Sequence, residues 1–551
     1  MIARFTLLLL LAIAVTAQTS PSPKSVSTYR IAGTVVSSMT GEPLSGVKVS
    51  ISATENRELH QNAVTGPNGA FAFPDLAPGK YSLTAGAHGY RPQGFNQHGD
   101  YFSGIAVGPG LDGQSQVFRL VPDAIIEGTV TDQDGEPVRN ANVALFQRTN
   151  DTGRQRTQQA FNAVTDDRGH YQFAHRAPGR YFVAVSGRPW YAQYQGQSGN
   201  EAPRDPEAAA RMAEEKAQLD VAYPMTFFPS AEDSSAASPI VLHPGERVAA
   251  DVTMRTVPAV HLRVTTALPD DKNAPNAAHG FPRVSQRIFE GTIVPVMAAQ
   301  AVSTNSATFE YTGIAPGRYI VEMPDPGLKR DGGGWYKEMD LSGTVDLDAR
   351  ESPVLASVTG TLTLEGAVRS TAKIYVVLIN RASGENFSTE VTDKGLFDFS
   401  DTQLRPGTYD VSLNNVPHLL VKDLAAKGAL VTGQSINVSG GNVQLVVTAT
   451  RAVVRIDGIV LRNEKPFAGA MVVLVPHDPG SNLTLFRRDQ SDSDGTFSLF
   501  DVLPGAYTAI ALQNAWDLDW ASPAAVQPYL RNGTPIEVSG EGRLNVKVQL
   551  Q

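Results

Sequence analysis

Two kinds of carboxylate-containing pair have spacings that could bind a metal ion. His243 and Glu246 have the H-x-x-E spacing with which zinc peptidases place two ligands. A catalytic zinc also requires a third ligand, a general acid or base and a concave pocket. This pair lies in a His-Pro-Gly-Glu segment just before a strand-like run, so we interpret it as an ordinary turn.

The second kind of pair occurs in TDQDGE (Asp132, Asp134) and SDSDG (Asp492, Asp494). The spacing is that of the first ligands of a calcium loop, but the flanking helices and the bidentate Glu at the twelfth position are missing. A β-turn accounts for Asp and Gly at these positions without an ion. We predict no cofactor, with calcium at these turns as the alternative.

Nucleophilic chemistry finds little support in the sequence. The chain has no cysteine, which excludes a thiol nucleophile and disulfides, and it contains neither a Gly-x-Ser-x-Gly elbow nor a P-loop. We therefore predict a protein that is not an enzyme, with no catalytic and no metal-binding residues.

Aromatic side chains give the strongest binding signal. All four tryptophans follow a repeated Pro-Gly-x-Tyr segment and precede the closing strand of a repeat unit. The candidate ligand-binding residues are Tyr90, Trp190, Tyr191, Tyr194, Phe227, Phe228, Trp335, Trp516 and Trp520. Two interpretations stay open: the rings cap the sandwich from which they project, or they form platforms for sugar rings or a protein partner. We expect the most ligand-competent surface between Trp190 and Phe228.

A repeated sequence element must position these loops. FAFPDLAPGKYSL, from Phe71, recurs as YQFAHRAPGRYFV, FEYTGIAPGRYIV, FDFSDTQLRPGTYDV and FSLFDVLPGAYTAI. Its alternation predicts two antiparallel strands joined by a tight connection, with glycine at φ > 0 and tyrosine as a core or corner residue. The predicted structural positions are Gly79, Gly179, Gly317, Gly407, Gly505, Tyr81, Tyr181, Tyr319, Tyr409 and Tyr507.

Each unit carries further turn signals. An Asp-, Asn- or Gly-rich turn such as GPNG precedes four of the five copies, and an opening strand with an early glycine, such as IAGTVV, comes before it. Short strands with turn signals every 8 to 12 residues, over units of about a hundred residues, are typical of a β-sandwich. We predict an all-β chain of about five Ig-like or prealbumin-like sandwiches in tandem.

This order of motifs resembles the carboxypeptidase regulatory-like domain, a prealbumin-like sandwich related to collagen-adhesin B-type modules. The resemblance rests on G-x-V, G-E-P-L-x-G-V-x-V, D-x-x-G-x-F-x-F and L-x-P-G-x-Y-x-L, and it is closest in units one, two and five. It implies an exported, non-catalytic module of a kind often associated with carbohydrate binding or surface assemblies.

Closing strands mark the predicted boundaries. The predicted ranges are a signal peptide at 1–17, a linker at 18–28 and sandwiches at 29–121, 122–256, 257–354, 355–450 and 451–551. The second sandwich has an insertion at about 190–238, in which the Ala- and charge-rich stretch predicts the only substantial helix, within 204–220. The short junctions predict a semi-rigid rod of abutting domains.

Charge and the N-terminus limit partners and location. A net charge of −9 gives no basic surface for nucleic acid. Arg4, an apolar run and Val15-Thr16-Ala17 predict cleavage before Gln18 and export to the periplasm, the outer membrane or the exterior, with no later transmembrane segment.

We expect a binding or adhesion scaffold for carbohydrate. The alternatives are a structural or assembly subunit of a cell-surface or outer-membrane complex that binds protein, and an accessory regulatory module of an exported peptidase.

Overall fold

The computed structural model describes residues 28–54, 60–150, 153–192, 205–265, 282–289, 291–296, 300–305, 308–322, 335–349, 355–366, 372–402 and 404–551. The predicted signal peptide and Tyr194 lie outside the described residues. The described chain is all-β, as predicted, and its sheets form five two-sheet sandwiches, here called domains 1 to 5. Among the described residues, no helix is long and apolar enough to cross a membrane.

Domain 1 shows the arrangement that the others repeat. Its strands β1–β8 are Tyr29–Ser37, Lys48–Ala53, His60–Val64, Ala70–Leu76, Gly79–Ala87, Tyr90–Gly94, Ile105–Val107 and Gln116–Leu120. One sheet has the order β4-β1-β8, and the facing sheet has the order β3-β2-β5-β6 with β7 also paired to β5. Alternating side chains such as Ile31, Leu83 and Phe118 are buried in the core of this domain.

Domain 2 adds the predicted helical insertion. Its elements are β9 Ala124–Thr131, β10 Asn142–Thr149, β11 Arg156–Val164, β12 His170–Arg176, β13 Gly179–Ser186, α1 Pro206–Leu219, β14 Val221–Ala222, β15 Thr226–Phe227, β16 Ile240–Leu242, β17 Arg247–Ala249 and β18 Val252–Thr253. Helix α1 confirms the prediction within 204–220. It begins after Asp205, whose carboxylate accepts the backbone amide of Glu207 at 3.4 Å.

Domain 3, the most divergent in sequence, keeps the same two sheets. Its strands β19–β27 are Val257–Pro258, Val260–Thr265, Arg283–Ile288, Thr292–Pro295, Gln300–Asn305, Thr308–Ile314, Gly317–Glu322, Tyr336–Leu341 and Val345–Asp348. The sheet orders are β23-β24-β20-β27 and β22-β21-β25-β26, and β19 pairs with β14 at the junction with domain 2.

Domains 4 and 5 complete the chain. Strands β28–β36 of domain 4 are Ala356–Leu364, Tyr375–Asn380, Asn386–Glu390, Leu396–Asp398, Gly407–Asn414, Leu420–Lys427, Ala429–Thr432, Ser435–Val438 and Gly441–Thr450. Domain 5 contains β37 Val454–Arg462, β38 Lys465–Pro466, β39 Met471–Pro476, β40 Arg487–Gln490, β41 Thr496–Val502, β42 Gly505–Leu512, α2 Pro523–Leu530, β43 Thr534–Val538 and β44 Gly542–Gln549. The sequence analysis did not anticipate helix α2.

In every domain the closing strand runs parallel to the first strand. The pairs are β1 with β8, β9 with β17 and β18, β20 with β27, β28 with β36, and β37 with β44. The early glycine of the first strand permits this close approach. A Cβ on Gly33 would lie 2.0 Å from the carbonyl oxygen of Gln116, and one on Gly360 would lie 2.1 Å from that of Leu445.

The Pro-Gly element is not a hairpin, which corrects the prediction of two paired antiparallel strands. Strands β4 and β5 on either side of it belong to opposite sheets, and the same holds for β12 and β13, β24 and β25, β31 and β32, and β41 and β42. The connection therefore crosses from one sheet to the other. Alternating strands look the same in sequence whether they pair edge to edge or face each other across a core.

The predicted rod is also wrong, because domain 5 returns to domains 1 and 2. The hydroxyl of Ser103 donates to the carbonyl of Ser491 at 2.9 Å, and the side-chain amide of Asn150 donates to the carbonyl of Leu518 at 2.9 Å. Short junctions limit the freedom of successive domains, but they do not make the domains collinear. The direction of each turn is set by the surfaces that meet, and repeat spacing does not encode it.

Candidate ligand-binding site

A cleft of about 390 Å³ lies at one end of domain 2, beside Trp190. Four segments form it: the connection from β9 to β10, the turn from β11 to β12, the chain that leaves β13, and the residue that follows β14. The polar side chains that line it are Asp132, Arg139, Asn140, Asp167 and Arg188, with Trp190 and Tyr223 as the aromatic members.

Trp190 is held outward by a short turn. The backbone amide of Ala192 donates to the carbonyl of Pro189 at 3.1 Å, and both Pro189 and Ala192 are buried. The indole between them is 85% exposed and meets the Tyr191 ring edge to face, with centroids 5.7 Å apart. Burial of this apolar ring would be favourable, so Trp190 is the candidate residue for contact with a ligand at the cleft.

Of the two aspartates that line the cleft, Asp132 is held in place by its own turn. One carboxylate oxygen of Asp132 accepts the backbone amides of Asp134 and Glu136, both at 2.9 Å. This is the β-turn role that the sequence analysis preferred to calcium. Asp494, in the other candidate turn, likewise accepts the amide of Thr496 at 3.1 Å. Within the described residues, no group of three or more His, Asp or Glu side chains could hold a metal ion.

Tyr223 supplies a protonated phenol to the lining of the cleft. Burial raises its pKa above the ordinary value, and the nearby charge of Asp132 raises it further. Its hydroxyl therefore keeps its proton at neutral pH and is a hydrogen-bond donor.

The loops around the cleft are joined by a threonine that the sequence analysis missed. The hydroxyl of Thr165 donates to the carbonyl of Val138 at 2.7 Å and accepts the amide of Ala141 at 2.9 Å. Thr65 makes the equivalent pair of bonds in domain 1, and Ser491 does so in domain 5. The signal was present in these three domains, because a hydroxyl residue lies four positions before the glycine of each of their turns.

The other predicted aromatic residues lie in different surroundings. Tyr90, Tyr191, Phe228 and Trp335 are half-buried. Phe227 (2% exposed) is buried between domains 2 and 3, and Trp520 (7% exposed) is buried in domain 5. Trp516 stacks on His98 of domain 1. The structure therefore does not bring the nine candidates together, and among those described Trp190 alone is largely exposed.

The five repeat tyrosines share one geometry. All are buried, and each hydroxyl donates to the carbonyl four residues earlier, at 2.6–2.9 Å, as in Tyr81 to Ala77 and Tyr319 to Ala315. The bond spans the sheet-to-sheet crossing and is the arrangement known as a tyrosine corner. Gly79, Gly179, Gly407 and Gly505 have φ between 152° and 158°, whereas Gly317 lies outside the positive range.

The His243-Glu246 pair forms the turn interpreted from the sequence. The carboxylate of Glu246 accepts the backbone amide of His243 itself at 2.8 Å, and the amide of Glu246 donates to the carbonyl of His243 at 3.1 Å. This carboxylate thus serves the local turn.

Comparison with known proteins identifies part of the chain. The model of the carboxypeptidase regulatory-like domain matches residues 30–112 and 125–211, which fall in domains 1 and 2. The two matched segments do not include domain 5, whose turns follow the same order. No curated protein sequence shows a significant match.

Several solved structures are similar at low identity. The Bacillus anthracis TIE protein is 10% identical, over 96% of this chain and 75% of that chain, with a TM-score of 0.17. A minor pilin of Streptococcus agalactiae is 12% identical, over 44% of this chain and 100% of that chain, with a TM-score of 0.21. The shaft pilin SpaA of Lactobacillus rhamnosus GG is 9% identical, over 42% of this chain and 98% of that chain, with a TM-score of 0.19.

Proposed function

We propose that this chain, which carries two tandem carboxypeptidase regulatory-like domains, is an exported, non-catalytic binding protein that holds carbohydrate at the Trp190 cleft of domain 2. The observation that carries the proposal is the exposed indole of Trp190 at the rim of a polar cleft. The predicted signal peptide supports export, which places the cleft where glycans of a cell envelope or its surroundings can reach it.

The chemistry of the cleft fits a sugar ring. One face of a pyranose presents C–H groups, which pack against a flat aromatic surface, while its hydroxyls need donors and acceptors around the rim. Arg139 and Arg188 supply donors, and Asp167 and Asn140 supply acceptors, within the same cleft. At about 390 Å³ the cleft falls in the range of about 300–1,000 Å³ that is usual for small-ligand sites.

The cleft is better suited to binding than to catalysis. Asp132 is committed to two backbone amides, and burial holds Tyr223 in its protonated form. Asp132 thus stabilises the turn that lines the cleft. Asp167 and Arg139 are exposed, as groups that contact a ligand reversibly should be.

A protein partner is the alternative that an edge strand favours. In the described part of the chain, β11 pairs only with β10, and it exposes Phe161 and Val164 along its length. The carbonyl of Thr157 in β11 already accepts the hydroxyl of Thr292 in domain 3, but the part of the edge that follows can accept an additional strand from another chain. Binding of this kind would depend on Phe161 and would be insensitive to Trp190.

A glycan array probed with the mature chain tests the proposal. We expect binding that Trp190→Ala reduces at least about tenfold, corresponding to the loss of about 1.4 kcal/mol or more of stacking free energy. Phe500→Ala, which removes a half-exposed ring from domain 5, is the matched control and should leave binding unchanged. Sugar binding that survives Trp190→Ala, or an array with no ligand at all, would contradict the proposed site.

A further inference from the structure

The contact between domains 1 and 5 is made largely of hydrogen bonds. Three backbone amides take part: Gly104 donates to the Asp492 carboxylate at 2.7 Å, Ala106 donates to the Ser493 hydroxyl at 2.9 Å, and Ser493 donates to the carbonyl of Gly104 at 2.9 Å. These amides have partners in the other domain, so their protection from solvent reports directly on the contact.

An ion pair reinforces the same contact. The ammonium of Lys80 in domain 1 lies 2.5 Å from the Asp492 carboxylate and 2.6 Å from the hydroxyl of Thr496, both in domain 5. Asp492 therefore binds a side chain and a backbone amide of domain 1 at once. Its side chain is largely shielded from water, which strengthens the charge interaction.

Aromatic rings complete the interface. The imidazole of His98 stacks on the indole of Trp516, and the guanidinium of Arg488 lies 4.3 Å from the ring centre of Tyr101. The same loop of domain 5 reaches domain 2, where the side-chain amide of Asn150 donates to the carbonyls of Trp516 and Leu518 at 2.8 and 2.9 Å.

The junction between domains 2 and 3 is different in kind. Phe146, Phe182 and Phe227 of domain 2 form one buried apolar cluster with Ile288 and Val294 of domain 3. Within the described residues, the apolar clusters of domain 1 and of domain 5 each contain residues of one domain only, although Trp520 and Ala521 of domain 5 also pack against Gly153 of domain 2. Apolar junctions fix domains, whereas small polar interfaces permit relative motion.

We propose that domain 5 is a releasable latch, which lies against domains 1 and 2 in one state and swings away from them in another. Release uncovers the rings of His98, Tyr101 and Trp516 that the closed chain covers against one another. The apolar junction of domains 2 and 3 remains intact in both states. The latch is thus a conformational device separate from the Trp190 cleft.

The test combines small-angle X-ray scattering with hydrogen exchange. The latch variant is Lys80→Gln/His98→Ala/Asn150→Ala, in which every substitution lies outside domain 5, so the closing domain itself is unaltered. The control variant is Lys48→Gln/His88→Ala/Asn442→Ala, which makes the same chemical changes at exposed positions. Both are compared with the wild type at about 0.1 M and about 1 M NaCl, across which the Debye length falls from about 10 Å to about 3 Å.

We expect the wild type and the control to be compact at low salt. The latch variant should show a larger maximum dimension, and the amides of Gly104, Ala106 and Ser493 should exchange at least about tenfold faster, while amides paired between β1 and β4 stay protected. At about 1 M NaCl the latch variant should differ from the control even more, both in maximum dimension and in the exchange rates of these amides. Unchanged dimensions and unchanged protection in the latch variant at high salt would overturn the proposal, and so would a wild type already extended at low salt.

Discussion

The indole of Trp516 in domain 5 lies flat on the imidazole of His98 in domain 1, with ring centroids 3.8 Å apart and planes 11° apart. The Nδ1 atom of the same imidazole lies 3.2 Å from the side-chain oxygen of Gln490, also in domain 5. His98 is therefore enclosed by domain 5 on two sides. Protonation of the His98 imidazole therefore changes the stability of the contact between domains 1 and 5.

We predict that acid weakens this contact through His98. Burial lowers the pKa of His98 below its ordinary value of 6.5, and the Arg488 charge lowers it too, although the hydrogen bond to the side-chain oxygen of Gln490 opposes them. The closed form therefore prefers neutral imidazole. Its stability is fully present above pH 6.5 and declines as the pH falls from there through the depressed pKa, by at most about 1.4 kcal/mol per unit.

An NMR titration of His98 measures this directly. In the wild type the midpoint should lie below 6.5, and in Trp516→Leu it should move up toward that value because the ring is more hydrated. A wild-type midpoint at or above 6.5 would contradict the enclosure of the imidazole.

A second group should give the opposite pH dependence. Burial raises the pKa of Asp489 to about 6, against the hydrogen bond from the Ser498 amide. Because the folded state holds this proton more tightly than the unfolded state, domain 5 should lose stability as the pH rises from the ordinary value of 3.8 through about 6. Asp489→Asn should stabilise domain 5 at pH 7 by about 1–3 kcal/mol and flatten its pH profile.

Chemical denaturation of the full chain at several pH values checks the Asp489 prediction. Asp517→Asn removes an exposed carboxylate from the same domain and serves as the control, with little expected change. An Asp489→Asn variant that is less stable than the wild type at pH 7 would show that the buried carboxylate contributes favourable interactions instead.

The repeat glycines offer a matched pair for backbone strain. Gly179 has a φ of 158°, a conformation that L residues rarely adopt, whereas Gly317 lies outside the positive range. A Cβ would meet no atom closer than 3.6 Å at Gly179 and 3.4 Å at Gly317, so space is similar at both. Gly179→Ala should destabilise the protein by about 1–3 kcal/mol, and Gly317→Ala should cost clearly less. If thermal unfolding shows that the two variants lose equal stability, φ is not the cause of the loss.

The tyrosine corner gives a further prediction. Tyr181→Phe removes the hydroxyl that donates to the carbonyl of Ala177 at 2.8 Å and should cost about 0.5–1.5 kcal/mol. Tyr375 is half-buried and its hydroxyl makes no hydrogen bond within the described part of the chain, so Tyr375→Phe should be close to neutral in the same denaturation experiment. If the two variants are equally stable, the corner bond contributes nothing measurable.

The sequence predicted the fold well because local chemistry recurs. Glycine, proline and tyrosine at fixed spacing each satisfy a backbone or packing requirement that is the same in every domain. Helix α1 was predictable for a similar reason, since Ala and charged helix formers follow the capping Asp205. The pairing of strands was harder to predict from the sequence. Alternation on both sides of Ala77-Pro78 fits a hairpin and a sheet-to-sheet crossing equally well.

The candidate site was only partly predictable. Trp190 and Trp516 occupy the same position after the repeat tyrosine, yet one is exposed and the other lies against His98. The difference arises from which domain faces each loop, and this depends on the orientation of whole domains. Spacing within one repeat carries no information about that orientation.

Trp190, which is exposed, and Trp520, which is buried, lead to the last prediction. Trp190→Ala should change the free energy of unfolding by less than about 0.5 kcal/mol, because the indole is exposed and packs mainly on the edge of Tyr191. Trp520→Ala should cost about 3–5 kcal/mol, because its indole is buried with Met471 and Ile510 in domain 5 and packs against Gly153 of domain 2. Urea unfolding of both variants in parallel provides the measurement. A large loss in Trp190→Ala would mean that the ring caps domain 2, and the capping interpretation would then replace the ligand platform.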